Sequence, residues 1–322
     1  MLGIHDSYSC KHIWAVHFSL EFRKTVAKTV TIKPLIDNLS CPRCMADKSR
    51  VKYDGIRKNK NGSIQRYECK ECGKRFSFNI GFEGMRATPQ MITTAMQLYF
   101  SGESLRSVQD FLKLQGVNLS HVAVYRWIKR YVKLMGEYLE QMQPSVSGVW
   151  RTDELYLRIK SKPQYIYAMM DDDTRYWLAM QISPNKATED VRPMFQEARD
   201  VAGKKPDMLI SDGAPNFHDA YLKEYWSKVA PRTSHVRHIH LAHDHNNNKM
   251  ERLNGEIRDR EKVMRGLKKV DSPILKGYQL YHNYFRGHDS LDGRTPSEVA
   301  GIKIEGRNKW VTVIENASKD IN

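Results

Sequence analysis

Val149-Trp-Arg-Thr-Asp-Glu-Leu-Tyr-Leu157 is the stretch from which the rest of the chain is best read. As a strand, its side chains alternate, so Asp153 shares a face with Leu155 and Leu157 while Glu154 points the other way with Tyr156. A carboxylate on an apolar face is costly unless it meets a partner such as a metal ion. The strand-like segment 149–159 is followed by others at 164–171 and 176–183, the latter two joined by a polar turn at 172–175. Next come a helical pattern over 187–201, a strand at 207–211, a helix at 215–226, a strand at 234–240 and a long basic helix over 246–269. Three meandering strands followed by alternating helix and strand predict an α/β domain, a mixed sheet flanked by helices.

Two more carboxylates stand where such a sheet gathers ligands. Asp212 ends Met208-Leu-Ile-Ser-Asp212, just before Gly213, and ligands collect beyond strand ends. Glu251 opens the basic helix in Asn247-Asn-Lys-Met-Glu251-Arg252. Arg258, seven residues on, falls on the same helical face, whereas Glu256 lies about 140° away at roughly 100° per residue. An Asp closing a strand is, taken singly, most often a turn former. Carboxylates in order on strand, strand and helix instead suit phosphodiester chemistry. There, two Mg²⁺ (or Mn²⁺) ions about 3.5–4 Å apart neutralise the attacking and leaving oxygens. Asp153, Asp212 and Glu251 are the candidate catalytic and metal-holding residues.

Upstream, Cys41-Pro-Arg-Cys44 and Cys69-Lys-Glu-Cys72 are separated by 24 residues. Two such knuckles can give four thiolates to one structural Zn²⁺, with a hairpin absorbing the long spacer. Residues 39–80 therefore read as a zinc ribbon whose loop carries Arg50, Lys52, Arg57, Lys58 and Lys60; Cys10 is a spare thiol. Over 85–142 the pattern is helical, with Thr88-Pro89 and Ser120 as helix starts and Gly116 and Asn118 marking a turn. Three short helices predict a helix-turn-helix domain. The third, running through Leu134, packs along Val122, Tyr125 and Ile128–Lys129 and presents His121, Arg126, Lys129 and Arg130 to DNA. Residues 143–148 have linker composition, 1–38 are an unassigned extension, and 303–322 are expected to be a tail.

Around these residues the chain resembles the insertion-sequence transposases of the DDE, retroviral-integrase-like group. The likeness rests on Thr152-Asp153-Glu154, Ser211-Asp212-Gly213 and Asn248-Lys-Met-Glu251-Arg252. It also rests on Tyr281-His-Asn-Tyr-Phe-Arg286 with His288, Leu291, Gly293 and Thr295-Pro296, and on the front end, spanning roughly 41–302. Gly287 departs from it, standing where a Pro is common, and 1–38 has little counterpart. The resemblance implies a five-stranded RNase H-like catalytic domain over 147–302. It further implies hydrolysis of DNA at transposon ends by metal-activated water, then attack of the freed 3′-hydroxyl on target DNA. Two or more subunits would cooperate, and Arg252 and Arg258 would meet DNA beside Glu251.

Charge agrees with a polyanionic partner. Lys and Arg outnumber Asp and Glu by 52 to 37, and residues 1–149 hold 23 basic against 12 acidic residues, a net +11 of the overall +15. No apolar run approaches the ~20 residues needed to span a bilayer. The stretch 13–20 is broken by His17, so a prokaryotic cytoplasmic, nucleoid-associated protein is expected. His235, His238, His240, His243 and His245 read as a polar rim rather than a metal cluster, and Asp171-Asp172-Asp173 reads as a turn. Two rivals remain: a DNA-binding regulator descended from such an enzyme, and an RNase H-like nuclease or resolvase that cuts without joining.

Overall fold

The computed structural model describes residues 29–35, 39–59, 62–77, 80–159, 162–237, 248–264 and 273–320; His238, His240, His243 and His245 and residues 1–28 lie outside them. A short strand β1 (Val30–Ile32) precedes the cysteine module. There β2 (Val51–Asn59) and β3 (Gly62–Cys69) form the antiparallel hairpin that the long spacer requires, and β4 (Arg75–Ser77) joins β3. The β2–β3 register slips between Tyr53 and Ile56, where Gly55 takes φ +77°.

Three helices follow. Helix α1 (Pro89–Ser101) is capped by the Thr88 hydroxyl, which accepts from the Met91 amide at 3.3 Å. After α2 (Leu105–Leu114), α3 (His121–Leu139) is capped by Ser120, whose hydroxyl accepts from the Ala123 amide at 3.2 Å. Both caps are those expected. The packing face of α3 is not. Val124, Trp127, Ile128, Tyr131, Val132 and Met135 are buried, while Val122 is 43% exposed. Trp127 and Tyr131 carry larger apolar surfaces than Val122, so burying them sets the rotation of the helix. His121 is half-buried, and Arg126, Lys129 and Arg130 are exposed together with Val122.

The central sheet is the expected five-stranded one. Strands β5 (Val149–Ile159), β6 (Lys162–Asp171) and β7 (Trp177–Ser183) form an antiparallel meander. Helix α4 (Thr188–Ala202) leads to β8 (Met208–Ser211), and α5 (Pro215–Glu224) to β9 (Ser234–Arg237). The order is β7-β6-β5-β8-β9, with β8 parallel to β5 and β9 parallel to β8. Alternation on β5 is as read from the sequence: Leu155, Leu157 and Ile159 are buried, Tyr156 and Arg158 exposed. On the Trp150 face, its ring meets Tyr225, which rests on Phe195 of α4. The opposite face is crossed by α6 (Asn248–Met264), which buries Met250, Leu253 and Ile257. Each large apolar side chain so buried contributes about 1.5–3 kcal/mol.

Helix α7 (Pro273–Leu280) runs into a π-helical turn at Tyr281–Phe285. A Cβ on Gly277 would lie 2.4 Å from the Phe100 ring, so only glycine lets α7 approach this closely. Short α8 (Pro296–Val299) carries the expected Thr295–Glu298 capping box. The last elements correct the reading of both ends. Strand β10 (Ile302–Ile304) pairs in parallel with β1, and α9 (Lys309–Asp320) buries Trp310, Val313, Ile314 and Ala317. Their i, i+3, i+4, i+7 spacing is that of an amphipathic helix, which is why 303–320 is a docked element and not a tail.

Candidate functional site

Register brings two of the three carboxylates together. Strands β5 and β8 pair as Val149↔Met208, Trp150↔Leu209 and Arg151↔Ile210, a constant offset of 59. Asp153 and Asp212 each lie two residues beyond the last of these pairs, and the negative charge of Asp212 acts on the Asp153 carboxyl. Beyond β8, Gly213, at φ +91°, turns the chain away, and Asp212 Oδ1 accepts from the Ala214 amide at 3.0 Å. Helix α6 supplies the third. Glu251 is exposed in its first turn.

One residue of the site escaped sequence reasoning. Asn254, one turn after Glu251, is buried and donates from Nδ2 to Asp153 Oδ2 at 2.8 Å, while the Glu154 amide donates to Asp153 Oδ1 at 2.9 Å. Its Oδ1 has no hydrogen-bond partner among the described residues. The i+3 spacing from Glu251 carried the signal, but an Asn in a basic helix reads as solvated until the facing strand is known.

Burial pushes the Asp153 carboxyl up to about 7, and the negative charges of Asp212, Glu154 and Glu251 push the same way. Carboxylates gathered closely enough for Asp212 and Glu251 to raise the Asp153 pKa suit a divalent cation, whose hard charge takes oxygen ligands. Among the described residues, only the four cysteines bring all their ligand atoms within 4.8 Å of one another. Asp153, Asp212 and Glu251 do not meet that spacing.

The cysteine cluster is compact. Cys41 Sγ lies 3.6 Å from Cys72 Sγ, and Cys44 Sγ 3.6 Å from Cys69 Sγ. The edge of a tetrahedron with metal–sulfur bonds of about 2.3 Å is about 3.8 Å, so the donor set fits one zinc ion. The two knuckles repeat one geometry. Met45 N donates to Cys41 O and Gly73 N to Cys69 O, both at 2.9 Å, with Met45 and Gly73 at φ +58° and +67°.

Other sequence candidates disperse. Arg252 and Arg258 are exposed on α6. Glu256 is half-buried. It pairs with Arg286 at 2.6 Å and accepts from the Tyr278 hydroxyl at 3.3 Å. Arg260 is buried and donates to the Tyr99 carbonyl at 2.6 Å, in the last turn of α1 where the helix dipole favours a cation. Asp171 is a turn former, accepting from the Ser147 and Thr174 hydroxyls at 2.6 and 2.7 Å. His235 bonds with Ser211 Oγ at 2.9 Å, beside Asp212, and burial holds it low, at about 4. The 281–288 motif is a clamp. Asn283 accepts from the Trp177 amide and donates to its carbonyl, at 2.8 and 3.0 Å, fixing the start of β7. A Cβ on Gly287 would lie 2.4 Å from the Gly293 carbonyl oxygen.

Residues 147–288 match the model of a family described as a DDE domain. The "Transposase for insertion sequence-like element IS431mec" of Staphylococcus aureus (strain Mu50) is 26% identical over 221 residues, 66% of this chain and 94% of that protein. The "Transposase for insertion sequence element IS257 in transposon Tn4003" of Staphylococcus aureus is similar to the same extent. Among solved structures, the HTLV-2 integrase catalytic core domain in complex with magnesium (trimeric form) is similar at TM-score 0.35 and 16% identity, over 49% of this chain and 98% of that one.

Proposed function

Residues 147–288 are the DDE domain of an insertion-sequence transposase, and from that premise we propose that Asp153, Asp212 and Glu251 hold the divalent cations with which the chain cuts transposon ends and joins them to target DNA. The gathering of Asp212 and Glu251 close enough for their charges to act on Asp153, with α6 tied to Asp153 through Asn254, is the observation that carries this reading. Two Mg²⁺ or Mn²⁺ ions would supply a hydroxide-like nucleophile and offset the charge on the attacking and leaving oxygens.

The protein's own part is to position. The Glu154 amide and Asn254 fix both Asp153 oxygens, and the Asx turn fixes Asp212. Glu251, exposed at a helix start, keeps the rotamer freedom to follow the reacting phosphate. Hydrolysis breaks one P–O bond and leaves a 3′-hydroxyl. Its attack on target DNA then exchanges one P–O bond for another and releases a target 3′-hydroxyl. His121, Arg126, Lys129 and Arg130 would bind end DNA, with Arg252 and Arg258 holding phosphates near Glu251. The cysteines would hold one structural Zn²⁺, and two or more copies would act on paired ends. No helix among the described residues is long and apolar enough to cross a membrane.

Asp153→Asn, Asp212→Asn and Glu251→Gln should each lower end cleavage and strand transfer by at least about a hundredfold, or about 2.7 kcal/mol, with end binding within about twofold. Single-turnover assays on labelled ends with a plasmid target measure both steps. A variant retaining near-normal strand transfer removes that residue from the site, and cleavage without joining by the unaltered protein favours the nuclease.

A further inference from the structure

We propose that a second site, a cleft of about 290 Å³ behind α6, binds a phosphate group between Arg175 and Arg252. It lies between α6, the turn joining β6 to β7, and residues 286–290. Lys249, Arg252, Leu253 and Glu256 line it from α6. At roughly 100° per residue, Arg252 and Glu256 are about 100° and 140° round the helix from Glu251, so the cleft is separate from the carboxylates.

Its charges do not cancel. Arg175, Lys249, Arg252 and Arg286 face Glu256 and Asp289, four positive groups against two negative. Arg286 is paired with Glu256 and Lys249 with Asp172, each at 2.6 Å. Neither Arg175 nor Arg252 has an ion-pair partner among the described residues. Burial lowers the Arg175 pKa, and the charges of Arg252 and Arg151 lower it further against the opposing pull of Asp172. Arg175 is half-buried and Arg252 exposed, and their like charges, lining one cleft, repel one another unless an anion joins them.

The fold holds Arg175 in place. Its backbone is left-handed, at φ +59°, and His282 Nε2 donates to its carbonyl at 3.0 Å. His282 is 4% exposed and burial keeps it uncharged, so the clamp adds no charge of its own. A tetrahedral phosphate can meet two guanidinium forks at once, whereas a carboxylate has two oxygens for one fork.

The phosphate could be a DNA phosphodiester, which rests on the proposed function, or a free anion, which does not. Arg175→Gln and Arg252→Gln test it in the full chain, without added divalent cation. Inorganic phosphate, at ionic strength matched with NaCl, should raise the melting temperature of the unaltered protein by about 2 °C or more, and this shift should vanish in both variants. Binding of duplex DNA should weaken about tenfold in each, with the log–log salt slope falling by about 0.9 per lost contact. Loss of the phosphate shift with an unchanged DNA slope assigns the cleft to a free anion. A lower slope without a phosphate shift assigns it to DNA. Variants matching the unaltered protein in both arms overturn the site. Failure of the unaltered protein to bind DNA counts against the proposed function, and the phosphate arm still decides the cleft.

Discussion

The cysteine module and the carboxylate site both gather ligands, but they are held together by different means. In the module the ligands come from two knuckles of one repeated local geometry, and Leu39, Cys41, Tyr67 and Cys69 are its only buried apolar side chains among the described residues of 39–77. In the sheet the carboxylates come from positions 153, 212 and 251, and each is carried by an element with its own buried face. A ligand site can thus stand in for a core or be set on one. The first is legible in a short sequence window. The second exists only after distant strands have paired.

The largest expected effect tests the dependence of the module on its metal. Cys69→Ser, or chelation, should reduce bound zinc from about one per chain to none and unfold 39–77, while the sheet keeps its melting transition. Elemental analysis and hydrogen exchange of the two regions check it. Protection of the module surviving without metal would show that its few apolar contacts suffice.

A smaller effect is expected at Asn254. Asn254→Ala removes a donor from Asp153 without touching the apolar contacts of α6. Cleavage should fall about tenfold or more, equivalent to about 1.4 kcal/mol, with weaker Mn²⁺ binding and an unchanged melting temperature. A melting temperature lowered in step with activity would make Asn254 part of the packing instead.

The smallest is expected at Glu256. Its pairing with Arg286 is partly screened by solvent, so Glu256→Gln should cost about 0–1 kcal/mol of stability and leave cleavage within about threefold. Denaturation and single-turnover rates beside Glu251→Gln check the ranking. An inactive Glu256→Gln with an active Glu251→Gln would reverse the assignment on α6.

What the sequence determined by itself is what short-range chemistry writes. The four cysteines, the caps at Thr88 and Ser120, the alternation that turns Asp153 inward and the order of strands and helices all follow from neighbours within a turn or a strand. The phase of α3 departs from the expected one because Val122 and Trp127 are both apolar, and only the facing helices decide which is buried. The helix over 309–320 has its apolar spacing in view, yet its main partners are α3 and α1, as in the Trp310–Gln97 hydrogen bond between residues 213 positions apart. Asn254 and Glu256 show the same limit at the site. Both are polar residues on a basic helix, and whether each meets Asp153, Arg286 or water depends on which side of α6 the sheet occupies. Asn254 and Asp153 are 101 positions apart and Glu256 and Arg286 are 30, beyond any window of one helical turn, so tertiary structure alone assigned those partners.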